Sequence, residues 1–65
     1  MKIWKVKYNI GRKGTVLTST EEAFAFEPTE NDVYDVGIEL LKQYRADNFT
    51  ASPTVEIEVR SDINV

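Results

Sequence analysis

The fold of this chain is decided near its N-terminus by the stretch KIWKVKYNIGRKG (residues 2–14), in which apolar and polar side chains alternate up to a turn. Because successive side chains of a β-strand point to opposite faces, this alternation predicts a strand over residues 2–10 with one apolar and one basic face. The apolar face carries Trp4, Val6, Tyr8 and Ile10, and the basic face carries Lys5 and Lys7.

A glycine-rich turn, GRKG (residues 11–14), follows this strand and precedes further β-prone residues. We predict a β-hairpin closed by a three-residue loop whose last residue is a left-handed glycine. This turn would pair Ile10 with Val16 and keep the even-numbered residues of both strands on one face. The sequence STEE (residues 19–22) also matches a helix capping box, so a short helix over residues 20–26 is the alternative to a second strand.

The clearest helix start lies in the middle of the chain. Thr29 is a good N-cap, and Asp32 stands three residues later, where its carboxylate can accept a hydrogen bond from the cap backbone. Basic residues near the far end suit the negative end of the helix dipole, and Asn48 is a suitable terminator. We therefore predict a helix that ends near Asp47, followed by a loop over residues 48–53.

A last strand is predicted at residues 54–60. Its outward side chains include two glutamates, which complement the lysines on the basic face of the first strand. Opposite charges on neighbouring strands contribute roughly 0.2–1 kcal/mol per pair, so the last strand is expected beside the first. The inward positions are Val55, Ile57 and Val59, and the outward ones are Glu56, Glu58 and Arg60.

These elements predict an α+β fold of β-β-α-β order. Its three-stranded antiparallel sheet has strand order 2-1-3, and one helix packs on one face. With 65 residues, the chain is long enough for a single domain, which we assign to residues 1–65. Such a short chain buries only about 60% of the surface exposed when unfolded, so its core is small.

Composition argues against catalysis. The chain has no cysteine and no histidine, which removes the strongest nucleophile, the commonest general base and the usual zinc ligands. Asp32, Asp35 and Glu39 share a helix face, but their spacing does not match a calcium loop, and acidic residues are common early in helices. We predict no enzymatic activity, no cofactor and no metal site.

The sequence also predicts a cytoplasmic protein without a membrane segment. The N-terminus lacks the features of a signal peptide, and no stretch approaches the roughly 18 apolar residues of a membrane span. The absence of cysteine is compatible with a reducing compartment.

The predicted helix has an apolar face wider than one sheet face can cover. Besides a stripe that includes Gly37, a second stripe consists of Tyr34, Ile38 and Leu41, and together they cover roughly 200° instead of the usual ~100°. Either the segment 48–53 covers the second stripe, for example through Phe49, or another chain does. Glycine inside a helix costs about 1 kcal/mol relative to alanine, so Gly37 indicates a close approach, for which the protein's own sheet is the favoured partner.

The second stripe is flanked by the acidic residues Asp35 and Glu39, which makes it a candidate docking site for a basic protein surface. The predicted function is therefore that of a small acidic protein-binding domain, an inhibitor or adaptor. The predicted partner is another protein or a second copy of the chain. The predicted contact residues are Tyr34, Asp35, Ile38, Glu39 and Leu41.

The alternative function is weak nucleic-acid binding through the basic hairpin. Its candidate residues are Lys5, Lys7, Arg12 and Lys13. Nucleic-acid platforms need aromatic and cationic side chains that are reachable together, whereas the strand pleat separates them here. The net charge of −3 also disfavours a polyanionic partner, so we rank nucleic acid below protein.

Overall fold

The computed structural model describes residues 1–59 as a sheet with one helix packed on one face. The central strand β1 pairs with β2 along one edge. Along its other edge, residues 8–11 pair with β3 and residues 2–5 pair with β4, and every pairing is antiparallel. The predicted α+β fold and its 2-1-3 order are confirmed, with one strand added. The elements are β1 (Lys2–Arg12), β2 (Thr15–Phe24), α1 (Glu30–Tyr44), β3 (Asn48–Ala51) and β4 (Val55–Glu58).

The core lies between β1 and α1, on the face of β1 that the sequence predicts to be apolar. Val6, Tyr8 and Ile10 are 0% exposed, and Trp4 is half-buried against them. Leu40 of α1 packs on this row, where Phe24 of β2 is also buried. The amphipathic alternation of the first strand therefore identifies the core face correctly.

The predicted three-residue hairpin loop is wrong. The turn has only two residues, Lys13 and Gly14, between the paired residues Arg12 and Thr15. Both turn residues have positive φ, 52° and 78°, as a type I′ turn requires. This turn type twists in the same sense as the flanking strands, which explains its preference over a longer loop.

The predicted pairing of Ile10 with Val16 is wrong as well. Gly11 pairs with Val16 and Ile10 with Thr18, so Leu17 is the extra residue of a β-bulge. The two-residue turn alone would pair even with odd positions. The bulge adds one residue and restores even-with-even pairing, so the predicted face of β2 is confirmed from Thr18 to Phe24, whereas Val16, paired with Gly11, lies on the other face and is exposed. The alternative helix over residues 20–26 does not form.

The predicted helix start is confirmed and the predicted end is wrong. The Thr29 hydroxyl accepts from the Asp32 N–H at 3.2 Å, and the Asp32 carboxylate accepts from the Thr29 N–H at 2.9 Å, which completes a capping box. The helix ends at Tyr44 rather than near Asp47, because Arg45 adopts the left-handed conformation with φ 54°. The Asp47 N–H then donates to the Gly11 carbonyl at 3.0 Å, which draws the chain onto β1.

The predicted loop over residues 48–53 is wrong over its first four residues, because these form β3. Phe49 pairs with Ile10 and Ala51 with Tyr8, so both β3 side chains lie on the helix-covered face of the sheet. Four residues are a weak strand signal, and the sequence offers no alternation long enough to reveal them.

The last strand is present, but its predicted facing is inverted. Val55 pairs with Lys5 and Glu56 with Trp4, which places Glu56 on the side of the helix. Between the pair Tyr8–Ala51 and the pair Lys5–Val55, β1 advances by three residues, whereas the chain from β3 to β4 advances by four. This single extra residue exchanges the two faces of β4.

The predicted charge pairing between strands is consequently wrong in detail. Lys5 faces Val55 instead of a glutamate, and the ion pair in this region joins Lys2 Nζ to Glu56 Oε2 at 3.7 Å. Both of its side chains are largely exposed, so the pair contributes little to stability. β4 ends at Glu58, within the predicted range 54–60, and residue 60 lies outside the described residues.

Candidate functional site

The helix is placed asymmetrically on the sheet. α1 packs against β1 and β3, whereas β2 lies beyond its cover. Apart from Phe24, which belongs to the core, the helix-facing side chains of β2 are consequently only half-buried. These side chains are Thr18, Thr20 and Glu22, which pair with Ile10, Tyr8 and Val6 of β1.

On the β3 side, the helix is closed by an aromatic contact. The Phe49 ring lies directly over Gly37, where even the methyl group of an alanine would overlap with the ring. Its centroid is 5.9 Å from that of Tyr8 and 5.9 Å from that of Tyr34, within the range of favourable aromatic pairs. The interpretation of Gly37 as a site of close approach to the protein's own sheet is confirmed.

A partly buried hydrogen bond fixes the helix to β1. The Tyr8 hydroxyl donates to the Val33 carbonyl at 2.7 Å. Burial raises the pKa of Tyr8 above its ordinary value of 10.0, and the negative charge of Glu22 raises it further. Tyr8 therefore keeps its proton, and with it this hydrogen bond, over the physiological pH range.

The predicted apolar contact strip is covered unequally. Leu41 packs against the core, and Ile38 is half-buried. Tyr34 remains 58% exposed beside Phe49. The structure therefore covers part of this strip with the protein's own residues. This agrees with the alternative in which the segment 48–53 covers the strip through Phe49.

On the β2 side, the structure leaves a groove of about 340 Å³ between α1 and β2. We call it the acidic groove. Its floor is apolar, and carboxylates from both elements stand at its margins. The lining residues are Glu22, Asp35, Val36, Glu39, Leu40 and Gln43.

The acidic groove contains two of the five predicted contact residues, Asp35 and Glu39, one helical turn apart. Glu22 is the carboxylate from β2 that the sequence-based set omits. Its even position on β2 was an available signal, because that position places it on the same face as the core. The groove itself was not predictable, because it exists only where the helix stops short of β2.

The charge of the acidic groove is only weakly compensated. The Lys42 ammonium lies 3.6 Å from the Glu39 carboxylate, three residues earlier on the same helix. Both side chains are more than 70% exposed, so water screens the pair and the carboxylate stays available to another cation. Asp35 and Glu22 make no salt bridge within residues 1–59.

A second groove, of about 420 Å³, lies at the N-terminal end of α1. Pro28 and Pro53 stand at its margins, and Tyr34 and Phe49 contribute aromatic rings. Its charged lining residue is Glu30, so it lacks the concentrated charge of the acidic groove. Tyr34 belongs to this second groove, which separates it from Asp35 and Glu39.

The four candidate residues for nucleic-acid binding divide into two groups. Lys7 lies on the sheet face away from α1, opposite Glu21 of β2. Arg12 lies at the hairpin tip, roughly 17 Å farther along β1 at about 3.3 Å per residue. There its guanidinium donates to the Arg45 carbonyl at 3.3 Å, while the Lys13 N–H donates to the Asp47 carboxylate at 3.0 Å. The structure does not bring the four cations together.

Two further kinds of site can be checked within residues 1–59. No three acidic side chains in this range are placed to hold a metal ion together. The helix of this range is also too short and too polar to cross a membrane.

Comparison with known proteins gives no relative for this chain: no family model, no curated protein and no solved structure matches it.

Proposed function

We propose that this chain is a small non-enzymatic protein-binding domain, an inhibitor or adaptor, that binds a basic surface of another protein through the acidic groove. The observation that carries the proposal is the combination of an apolar floor, formed by Val36 and Leu40, with carboxylates on both walls. Glu22 stands on the β2 wall, and Asp35 and Glu39 stand on the helix.

This arrangement suits lysine and arginine side chains. Their methylene stems can lie on Val36 and Leu40, while their charged ends reach the surrounding carboxylates. The negative charge accelerates the encounter with a basic surface, and the burial of apolar groups slows dissociation. A neutral or acidic partner would gain neither the attraction nor the neutralisation.

The proposal keeps Asp35 and Glu39 from the sequence-based set and adds Glu22. Tyr34 can extend the contact from the neighbouring groove, because its side chain is exposed. The contact roles of Ile38 and Leu41 stay predictions, and their partial burial gives them a second role in holding α1 on the sheet.

Nucleic-acid binding receives less support. The separation of Lys5 and Lys7 from Arg12 and Lys13 divides the positive charge, and Glu21 opposes Lys7. A protein partner therefore remains the preferred proposal. We also propose a cytoplasmic location, because a chain without cysteine forms no disulfide and therefore needs no oxidising environment.

The proposal is tested by capture and then by matched variants. A photo-crosslinking residue in place of Gln43, on the groove wall, should capture the partner in lysate of the source cell, and that partner is then purified. The double substitution Glu22→Gln/Glu39→Gln should weaken its binding about tenfold, since each exposed ion pair is worth roughly 0.2–1 kcal/mol.

The control changes the same charge elsewhere. Glu21→Gln/Glu58→Gln also removes two carboxylates, but Glu21 lies on the opposite face of β2 and Glu58 on β4. Wild-type affinity of this control, together with weaker binding of the groove variant, supports the proposal. Equal losses in both variants, or a captured complex that nuclease destroys, would reject it.

A further inference from the structure

The outer edge of β2 carries no partner strand within residues 1–59. β2 is ten residues long, and its backbone N–H and C=O groups on this edge are free to pair. An unpaired strand of this length is a template for an extended segment of another chain, which binds by adding a strand to the sheet. Edge pairing is therefore a way of binding that the fold leaves open.

The opposite edge of the sheet is less suitable. It consists of β3 and β4, which have four residues each. The link between them contains Pro53, which has no N–H, and the register shifts by one residue there. By contrast, β2 is regular from Thr18 to Phe24, beyond its bulge. The two edges thus differ in the length of continuous backbone that they offer.

The free edge of β2 adjoins the acidic groove at Glu22. Glu22 projects from β2 toward the helix-covered side, and Asp35 and Glu39 face the same groove from α1. Side chains of an added strand would alternate between the two sheet faces. Side chains of the added strand that lie on the helix-covered face beside Glu22 would therefore be next to the groove and its carboxylates.

We infer that β2 binds an extended, cationic segment of the partner by strand addition, with its alternate lysine or arginine side chains in the acidic groove. The inference rests on the proposed function of that groove and names its mode of binding and its class of ligand. Backbone pairing with β2 supplies affinity, and the charge of the groove selects the sequence.

The same charge disfavours a second copy of the chain at this edge. Antiparallel pairing of two β2 strands about a two-fold axis would place both helices on one face of the joined sheet. The two acidic grooves would then lie side by side, with three carboxylates from each copy and like charges in proximity. A cationic strand neutralises these carboxylates, whereas a second copy adds to them.

The test uses an eight-residue peptide of alternating lysine and valine, capped at both ends, at low salt. Amide exchange and NMR shifts should report protection of alternate amides within β2 when the peptide is added. Replacement of its lysines by glutamate should abolish binding. Glu22→Gln/Glu39→Gln should weaken binding about tenfold, and Glu21→Gln/Glu58→Gln should leave it unchanged.

Two methylated peptides isolate the backbone contribution. One carries N-methyl groups on its lysines and the other on its valines, so each lacks the N–H donors of a single strand edge. Because alternate N–H groups point to opposite edges, one methylated peptide should lose binding at least tenfold and the other should retain it. That difference is not expected from charge attraction alone.

Each contrary result has a distinct meaning. Equal binding of both methylated peptides would overturn strand addition and leave the proposed groove function intact. Unchanged binding to the groove variant would overturn the proposed function as well. Protection of β2 that grows with protein concentration, without peptide, would show a second copy at the edge and overturn the inference, as would an absence of peptide binding at low salt.

Discussion

The two flanks of α1 differ sharply. On the β3 flank, the Phe49 ring fills the space over Gly37, and Leu41 is packed against the core. On the β2 flank, the side of the helix borders an open groove with carboxylates at its margins. One helix thus has a closed side and an open side on the same sheet.

The difference follows from dimensions. A helix with its side chains is about 10–12 Å wide, and neighbouring strands are about 4.8 Å apart, so one helix covers little more than two strands. Here it covers β1 and β3 and leaves the helix-facing side of β2, apart from Phe24, only half-buried. We therefore expect the β3 flank to determine stability and the β2 flank to determine recognition.

The largest effect on stability is expected from Phe49→Ala on the closed flank. Removal of the ring opens a cavity between α1 and β3 and should cost about 2–4 kcal/mol, because large-to-small substitutions lose both transfer energy and packing. Urea denaturation followed by circular dichroism measures the change. If the variant does not fold, Phe49→Leu should show a smaller loss of the same sign.

A substitution at Gly37 sharpens this comparison through a double-mutant cycle. Gly37→Ala should destabilise the wild type by about 1–3 kcal/mol, because its methyl group meets the Phe49 ring. In the Phe49→Leu background, the ring that the methyl group meets is absent, so the cost should fall, and the helix propensity of alanine, about 1 kcal/mol better than that of glycine, then favours the substitution. An equal effect of Gly37→Ala in both backgrounds would show that the ring is not the obstacle.

A smaller effect is expected from Tyr8→Phe, which removes the hydrogen bond to the Val33 carbonyl and should cost about 1 kcal/mol at pH 8. The raised pKa of Tyr8 means that the unfolded chain loses this proton first as the pH rises above 10.0, so the wild type loses stability there. The phenylalanine variant lacks this loss. Urea denaturation of both proteins at pH 8 and at about pH 10.5 should therefore show a smaller difference in their free energy of unfolding at the higher pH. An equal difference at both pH values would contradict the role of the Tyr8 hydrogen bond.

The smallest effects on stability are expected on the open flank. Asp35→Asn and Glu39→Gln change exposed side chains and should alter the free energy of unfolding by no more than about 0.5 kcal/mol. Urea denaturation measures this change, and the Phe49 and Gly37 variants measured in the same way show how large a loss on the closed flank is. A loss above about 1 kcal/mol would mean that the acidic groove supports the fold, and the division of the two flanks would fail.

The local elements were predictable where neighbouring residues determine them. The alternation in β1 identified the buried face, and Thr29 and Asp32 marked the helix start through their mutual hydrogen bonds. The helix end was not predictable in this way. Arg45 ends the helix in the left-handed conformation, which a sequence usually signals with glycine or asparagine and not with arginine.

The candidate site was predictable only in part. Asp35 and Glu39 were found because they lie together on one helix face, which the spacing shows. Glu22 joins them from β2 only through the register of the hairpin, which the Leu17 bulge sets. No local pattern places a β2 side chain opposite a particular turn of the helix.

The sequence by itself determined the β-β-α-β order, the buried face of β1 and the polarity of the helix, because periodicity and capping act over a few residues. Tertiary structure alone decided which flank of the helix is closed. Four residues of β3 bring Phe49 over Gly37, and one extra residue before β4 inverts the faces of that strand. Strand register is a long-range property, and a shift of one residue exchanges the two faces, so these outcomes depend on contacts that no single segment contains.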